Sequence, residues 1–81
     1  MTTATRLRLL SRPGCHLCEE MAGALDDLGV AFEHVNIEED AALSAAYGEL
    51  IPVLMQGDAE VARAPQSART LKRALQRSGV I

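Results

Sequence analysis

In the run Leu10-Ser11-Arg12-Pro13-Gly14-Cys15-His16-Leu17-Cys18-Glu19, an apolar segment meets a turn and then two cysteines with two residues between them. Upstream, Arg6-Leu7-Arg8-Leu9-Leu10 reads as a first strand, and Arg12-Pro13-Gly14 ends it. Downstream, Leu17, Met21, Leu25 and Leu28 recur at helical spacing, with Cys18 on the same stripe. Glu19, Glu20, Asp26 and Asp27 occupy other positions of that cylinder, and Gly29 is a natural stop. The spacing predicts a helix from about Cys15 to Leu28, with the cysteines at the strand-to-helix turn.

Their spacing puts both sulfurs on one helical face, within reach of a disulfide that leaves the helix wound. Cys15 lies at the helix N-terminus, where unpaired N–H groups and the macrodipole favour an anion. A thiolate is such an anion, and it is the nucleophile of thiol–disulfide exchange. Lowering a thiol pKa from roughly 8.5 to about 7 takes about 2 kcal/mol, which a helix terminus and one cation can supply. Arg12 is the candidate cation; Glu19 opposes it, screened by solvent. In this reading Cys15 attacks a substrate disulfide, and Cys18, one turn inside, resolves the mixed disulfide. Two other readings stay open: a pair of core cysteines, against which the preceding Pro-Gly turn argues, and a two-coordinate soft-metal carrier. Tetrahedral zinc wants four ligands, and His16 and His34 do not form a matching second pair.

Working outward, Val30 to Ile37 reads as a second strand and Leu43 to Tyr47 as a short helix entered at Glu39-Asp40 and stopped by Gly48. Pro52-Val53-Leu54-Met55 is a third strand, joined through Gln56-Gly57-Asp58 to a fourth at Ala59–Ala62. Pro65-Gln66-Ser67 opens a last helix that Gly79 ends; Ala68, Leu71 and Leu75 face inward, and Arg69, Lys72, Arg73 and Arg77 are solvated. The order is β-α-β-α-β-β-α, an α/β chain. Its first two strands are parallel through a right-handed crossover, and its last two are antiparallel. Residues 1–81 form one expected domain.

Composition narrows the function. The chain has 81 residues, net charge −3 and only two aromatics, Phe32 and Tyr47. An acidic, aromatic-poor domain has neither the charge nor the stacking platforms for nucleic acid. The N-terminal segment is too short for a signal-peptide core, and no run is long enough to span a membrane. A cytoplasmic protein is therefore expected, and there a close cysteine pair is catalytic or metal-binding rather than structural. His16 reads equally as a group that tunes the thiolate and as an exposed loop residue. His34, with no partner evident in its strand, reads as structural. Leu17 is either an apolar docking rim or part of the core. The basic face of the last helix reads as a solvated surface matched to the helix dipole.

At these residues the chain resembles a glutaredoxin-like protein of the thioredoxin superfamily. Leu10 to Glu19 resembles the family's strand, basic residue and Cys-x-x-Cys. Phe32 to Asp40 resembles its second strand with the acidic continuation, and Ile51-Pro52-Val53-Leu54 resembles its cis-proline segment. The resemblance implies a thioredoxin-like three-layer fold with a four-stranded mixed sheet. It also implies that Ile51–Pro52 is cis and lies beside the sulfurs, so that Ile51 offers backbone groups to an extended substrate. Typical members have Thr-Val before that proline, where this chain has Leu50-Ile51. They also carry a Gly-Gly pair and an Asp that hold glutathione, where this chain reads Val61 to Ser67.

The resemblance thus implies a dithiol oxidoreductase reducing protein or glutathione mixed disulfides. Cys15 and Cys18 carry the chemistry, and Arg12, His16, Ile51 and Pro52 line the substrate site. It would hold no metal and no tightly bound cofactor, work as a monomer, and use glutathione as co-substrate. Two alternatives remain: a redoxin served by thioredoxin reductase that donates to a dedicated enzyme, and a carrier of a soft metal or iron–sulfur cluster on the same thiolates.

Overall fold

The computed structural model describes residues 7–63 and 67–79. Strand β1 spans Leu7–Ser11, helix α1 His16–Asp27 and strand β2 Glu33–Asn36. A 3-10 turn, Ile37–Glu39, leads into helix α2, Ala41–Tyr47. Strands β3 (Val53–Gln56) and β4 (Ala59–Arg63) follow, and helix α3 spans Ala68–Arg77. The order is the expected one, and the sheet runs β2-β1-β3-β4. β1 pairs with β2 in parallel and with β3 antiparallel, and β3 pairs with β4 antiparallel.

Alternate residues of β1 point to opposite faces of the sheet, which is why both faces are covered. Leu7 and Leu9 pack with Met21 and Leu25 of α1 and with Leu71, Ala74 and Leu75 of α3. Leu10 packs with Ile37, Val53 and Met55, and the partly buried Leu43 and Tyr47 of α2 lie against that cluster. Helices α1 and α3 therefore form one outer layer and α2 the other.

Two expectations need correction, and one open choice is settled. The second strand is shorter than Val30–Ile37. Its C-terminal end is cut because the Asn36 side chain accepts from the Glu38 amide and turns the chain at Ile37. At its N-terminal side, the Val30 amide donates to the Leu25 carbonyl of the preceding helix end. Of the two places open to Leu17, rim and core, the structure shows the exposed one, at 47%, and the buried stripe of α1 is Cys18, Met21 and Leu25. Ala74, rather than Ala68, completes the buried face of α3. Arg6 and the Pro65-Gln66 pair lie outside the described residues; the described part of α3 starts from Ser67, whose hydroxyl accepts from the Thr70 amide.

The short helix α2 begins and ends on local chemistry. Asp40 caps α2 by accepting from the amides of Ala42 and Leu43. Gly48 closes α2 without a left-handed turn; a Cβ there would stand 2.6 Å from the Ser44 carbonyl oxygen. On β4, Arg63 donates twice to Glu60, which holds that carboxyl below its usual range.

Replacing Leu9, fully buried, with Ala is expected to remove about 2–5 kcal/mol of unfolding free energy. Leu17→Ala should move it by less than about 0.5 kcal/mol, since that side chain is exposed. Urea denaturation of both variants checks the pair, and equal losses would contradict this core.

Candidate functional site

The chain leaves β1 at Ser11, turns through Arg12-Pro13-Gly14 and enters α1 behind Cys15. The turn closes with the Cys15 amide donating to the Arg12 carbonyl at 3.3 Å. Gly14 takes φ +78°, the left-handed region in which a side chain is strained. Cys15 is the N-cap of α1: its backbone is extended, and its sulfur accepts from the Cys18 amide at 3.1 Å. Cys15 and Cys18 are joined by a disulfide across Cα atoms 5.2 Å apart. Cys15 is half-buried at the surface, whereas Cys18 is 4% exposed. The two thiols thus differ in access, as an attacking and a resolving group would.

A groove of about 370 Å³ opens beside the disulfide. Its walls are Arg12 and the turn, Cys15, Cys18, Glu19 and Ala22 of α1, His34 and Asn36 of β2, and Glu39 of the 3-10 turn. The place follows from topology. α1 covers one face of the parallel β1–β2 pair and α2 the other, so a crevice is left at the C-terminal ends of the two strands. Of the expected site residues, Arg12, Cys15 and Cys18 meet in this groove, and Glu19, expected to oppose Arg12, lines it too.

His16 does not line it. Its ring instead faces Glu20 one turn along the helix, 3.0 Å away, and both side chains are exposed. Ile51–Pro52 is a cis peptide bond. Pro52 is buried, and Ile51 packs against the cluster around Leu10. The last ladder pair of β1 and β3 is Leu10 with Val53, so Pro52 enters β3 at the end of the sheet where β1 turns toward Cys15. It stands on the β3 side of that end, while the groove lies on the β2 side. Leu17 and Leu50 are the exposed large apolar side chains among the described residues.

The groove also holds His34, which the sequence reads as structural, Glu39, which it reads as a helix start, and Asn36, to which it gives no role. A signal for His34 and Asn36 exists. Phe32, His34 and Asn36 alternate with Val35, whose face packs toward Leu10. A right-handed crossover sets α1 over the other face, and the register pairs His34 with Leu9.

This mixed sheet, with a helix-capping cysteine pair after β1 and a cis proline before β3, defines a thioredoxin-like fold. The profile of the glutaredoxin-like domain (DUF836) matches residues 6–77. The chain belongs to that glutaredoxin-like family of the thioredoxin superfamily. Among solved structures it is similar to target protein XcR50 from X. campestris. The X-ray structure of XcR50 has TM-score 0.80 and 38% identity, over 88% of this chain and 96% of that one. Protein Ne2328 from Nitrosomonas europaea, solved by NMR, has TM-score 0.72 and 28% identity, over 90% of this chain and 93% of that one. A comparison with curated proteins finds no match. No helix among the described residues is long and apolar enough to cross a membrane. Family membership and the close Cys15–Cys18 pair agree with a redox role.

Two glycines test the backbone argument. Gly14→Ala is expected to cost about 1–2 kcal/mol through its positive φ alone, since nothing lies within 4 Å of the added Cβ. Gly23→Ala, in α1 with equally open space, should gain about 0.5–1 kcal/mol. Thermal melts of both variants distinguish the signs, and a stabilising Gly14→Ala would refute the role given to this turn.

Proposed function

We propose that the chain is a dithiol–disulfide oxidoreductase in which Cys15 is the nucleophile and Cys18 the resolving thiol. The observation that carries this reading is the hydrogen bond from the Cys18 amide to the Cys15 sulfur at the head of α1. Once the disulfide is reduced, that N–H and the helix dipole favour the Cys15 thiolate. Arg12, on the groove wall, adds a positive charge to the same region.

The Cys15 thiolate attacks one sulfur of a substrate disulfide; the Cys15–substrate bond forms as the substrate S–S bond breaks, and its electron pair leaves on the other sulfur. Cys18 then attacks Cys15, which closes the Cys15–Cys18 disulfide and releases the second substrate thiol. Protein disulfides and glutathione mixed disulfides are the proposed substrates. Ile51 and Pro52 would border the extended substrate from the β3 side, and His16 would sit on the exposed rim. We place the protein in the cytoplasm, where the disulfide would be returned to the dithiol by glutathione. A second reading has thioredoxin reductase as the electron donor; its support is the sequence from Val61 to Ser67, which lacks the Gly-Gly pair and Asp of glutathione-binding relatives.

Cys15→Ser is expected to bring disulfide-reductase activity to background. Cys18→Ser should keep the first attack and accumulate a mixed disulfide, visible as added mass that a reductant removes. Full activity of Cys15→Ser would refute the assignment. Assays coupled to glutathione with glutathione reductase, or to thioredoxin reductase, separate the two donors.

A further inference from the structure

Resolution of the mixed disulfide needs a proton to leave Cys18 and a proton to reach the departing substrate sulfur, and one proton can serve both. Cys18 is 4% exposed and lines the groove, so its proton leaves by way of the groove. The charged or titratable groups facing that groove are Arg12 from the turn, Glu19 from α1, His34 from β2 and Glu39 from the 3-10 turn, besides the cysteines themselves. A guanidinium has no acceptor to offer. Ordinary carboxylates titrate about four pKa units below a thiol, so taking its proton is unfavourable by about 10⁴; for an ordinary imidazole the gap is about two units, a factor of about 100. Imidazole is also the side chain that takes up and returns a proton at neutral pH.

The ring of His34 is placed for this work. Its strand is registered against β1 through the Leu9–His34 pair, which points the side chain to the α1 face of the sheet. The Phe32 ring lies against it, with centroids 4.9 Å apart and planes tilted by 59°. The groove between His34 and Cys18 is large enough for several waters.

We propose that His34 is a proton-transferring residue of the resolving step, acting on Cys18 through water in the groove. The inference rests on the exchange reading above. In the mixed disulfide, the Cys18 proton passes to the imidazole. The Cys18 thiolate pair forms the Cys18–Cys15 bond, and the Cys15–substrate bond breaks with its electrons on the substrate sulfur. The imidazolium returns the proton to that sulfur. The dithiol loses two electrons, the substrate disulfide gains two, and no further reactant enters.

Stopped-flow reaction of the reduced protein with an aromatic disulfide whose thiol is coloured separates the steps. Attack by Cys15 releases the first thiol, and resolution by Cys18 releases the second. The aromatic thiolate departs without needing a proton, so the second phase reports deprotonation of Cys18. His34→Gln is expected to slow the second phase at neutral pH by at least about tenfold and to leave the first phase unchanged. The variant should converge on the wild type as pH passes the ordinary thiol range, about 8.5. Added imidazole should restore the second phase in His34→Ala. An unchanged second phase in His34→Gln, or equal slowing of both phases at every pH, would overturn the proposal. Failure of the exchange reading itself would appear differently, as a wild-type protein with no second phase.

Discussion

Burial of strand β1 on both of its faces is the constraint from which the other elements take their places. Leu9 and Leu10 are adjacent and both essentially inaccessible, at 0% and 1%, yet a strand sends them to opposite sides. One face must be roofed by α1 and α3 and the other by the 3-10 turn and α2. β1 is also paired along both edges, by β2 and by β3. A strand so enclosed leaves the chain one productive exit, at Ser11, and the turn there delivers Cys15 to the start of α1.

The two sides of the disulfide differ because the two neighbours of β1 run in opposite directions. β3 is antiparallel, so its first residues meet the end of β1 and bring Pro52 there, buried and cis. β2 is parallel, so its last residues arrive at the same level, and the chain then turns away to the other face. What it leaves is a groove holding His34, Asn36 and Glu39 together with both cysteines. Accessible Cys15 and enclosed Cys18 therefore have different surroundings on the two sides: the cis-proline end of β3 on one, titratable side chains on the other.

Much of this was legible along the chain. Strand and helix periods, the Pro-Gly turn and the Gly stops marked each element, and the cysteine spacing marked the junction that carries the chemistry. Errors arose where a local competitor beat the period. Asn36 caps a 3-10 turn and shortens β2. His16 illustrates another limit. Its place between the cysteines leaves tuning of the thiolate and plain exposure equally open, and the structure pairs its ring with an i,i+4 carboxylate at Glu20 on the exposed helix surface.

Sequence alone determined the order of elements, the position of the reactive pair at a helix N-terminus and the resemblance that predicted the cis proline. These depend on residues close together in the chain, or on a family pattern carried by short motifs. Only the tertiary structure decided which distant residues share the space beside the sulfurs. Strand pairing brought His34 opposite Leu9 and set Glu39 near Cys15, across separations no local pattern encodes. The reason is physical: helical and strand periods report which face a residue occupies, whereas register and crossover direction fix what that face meets.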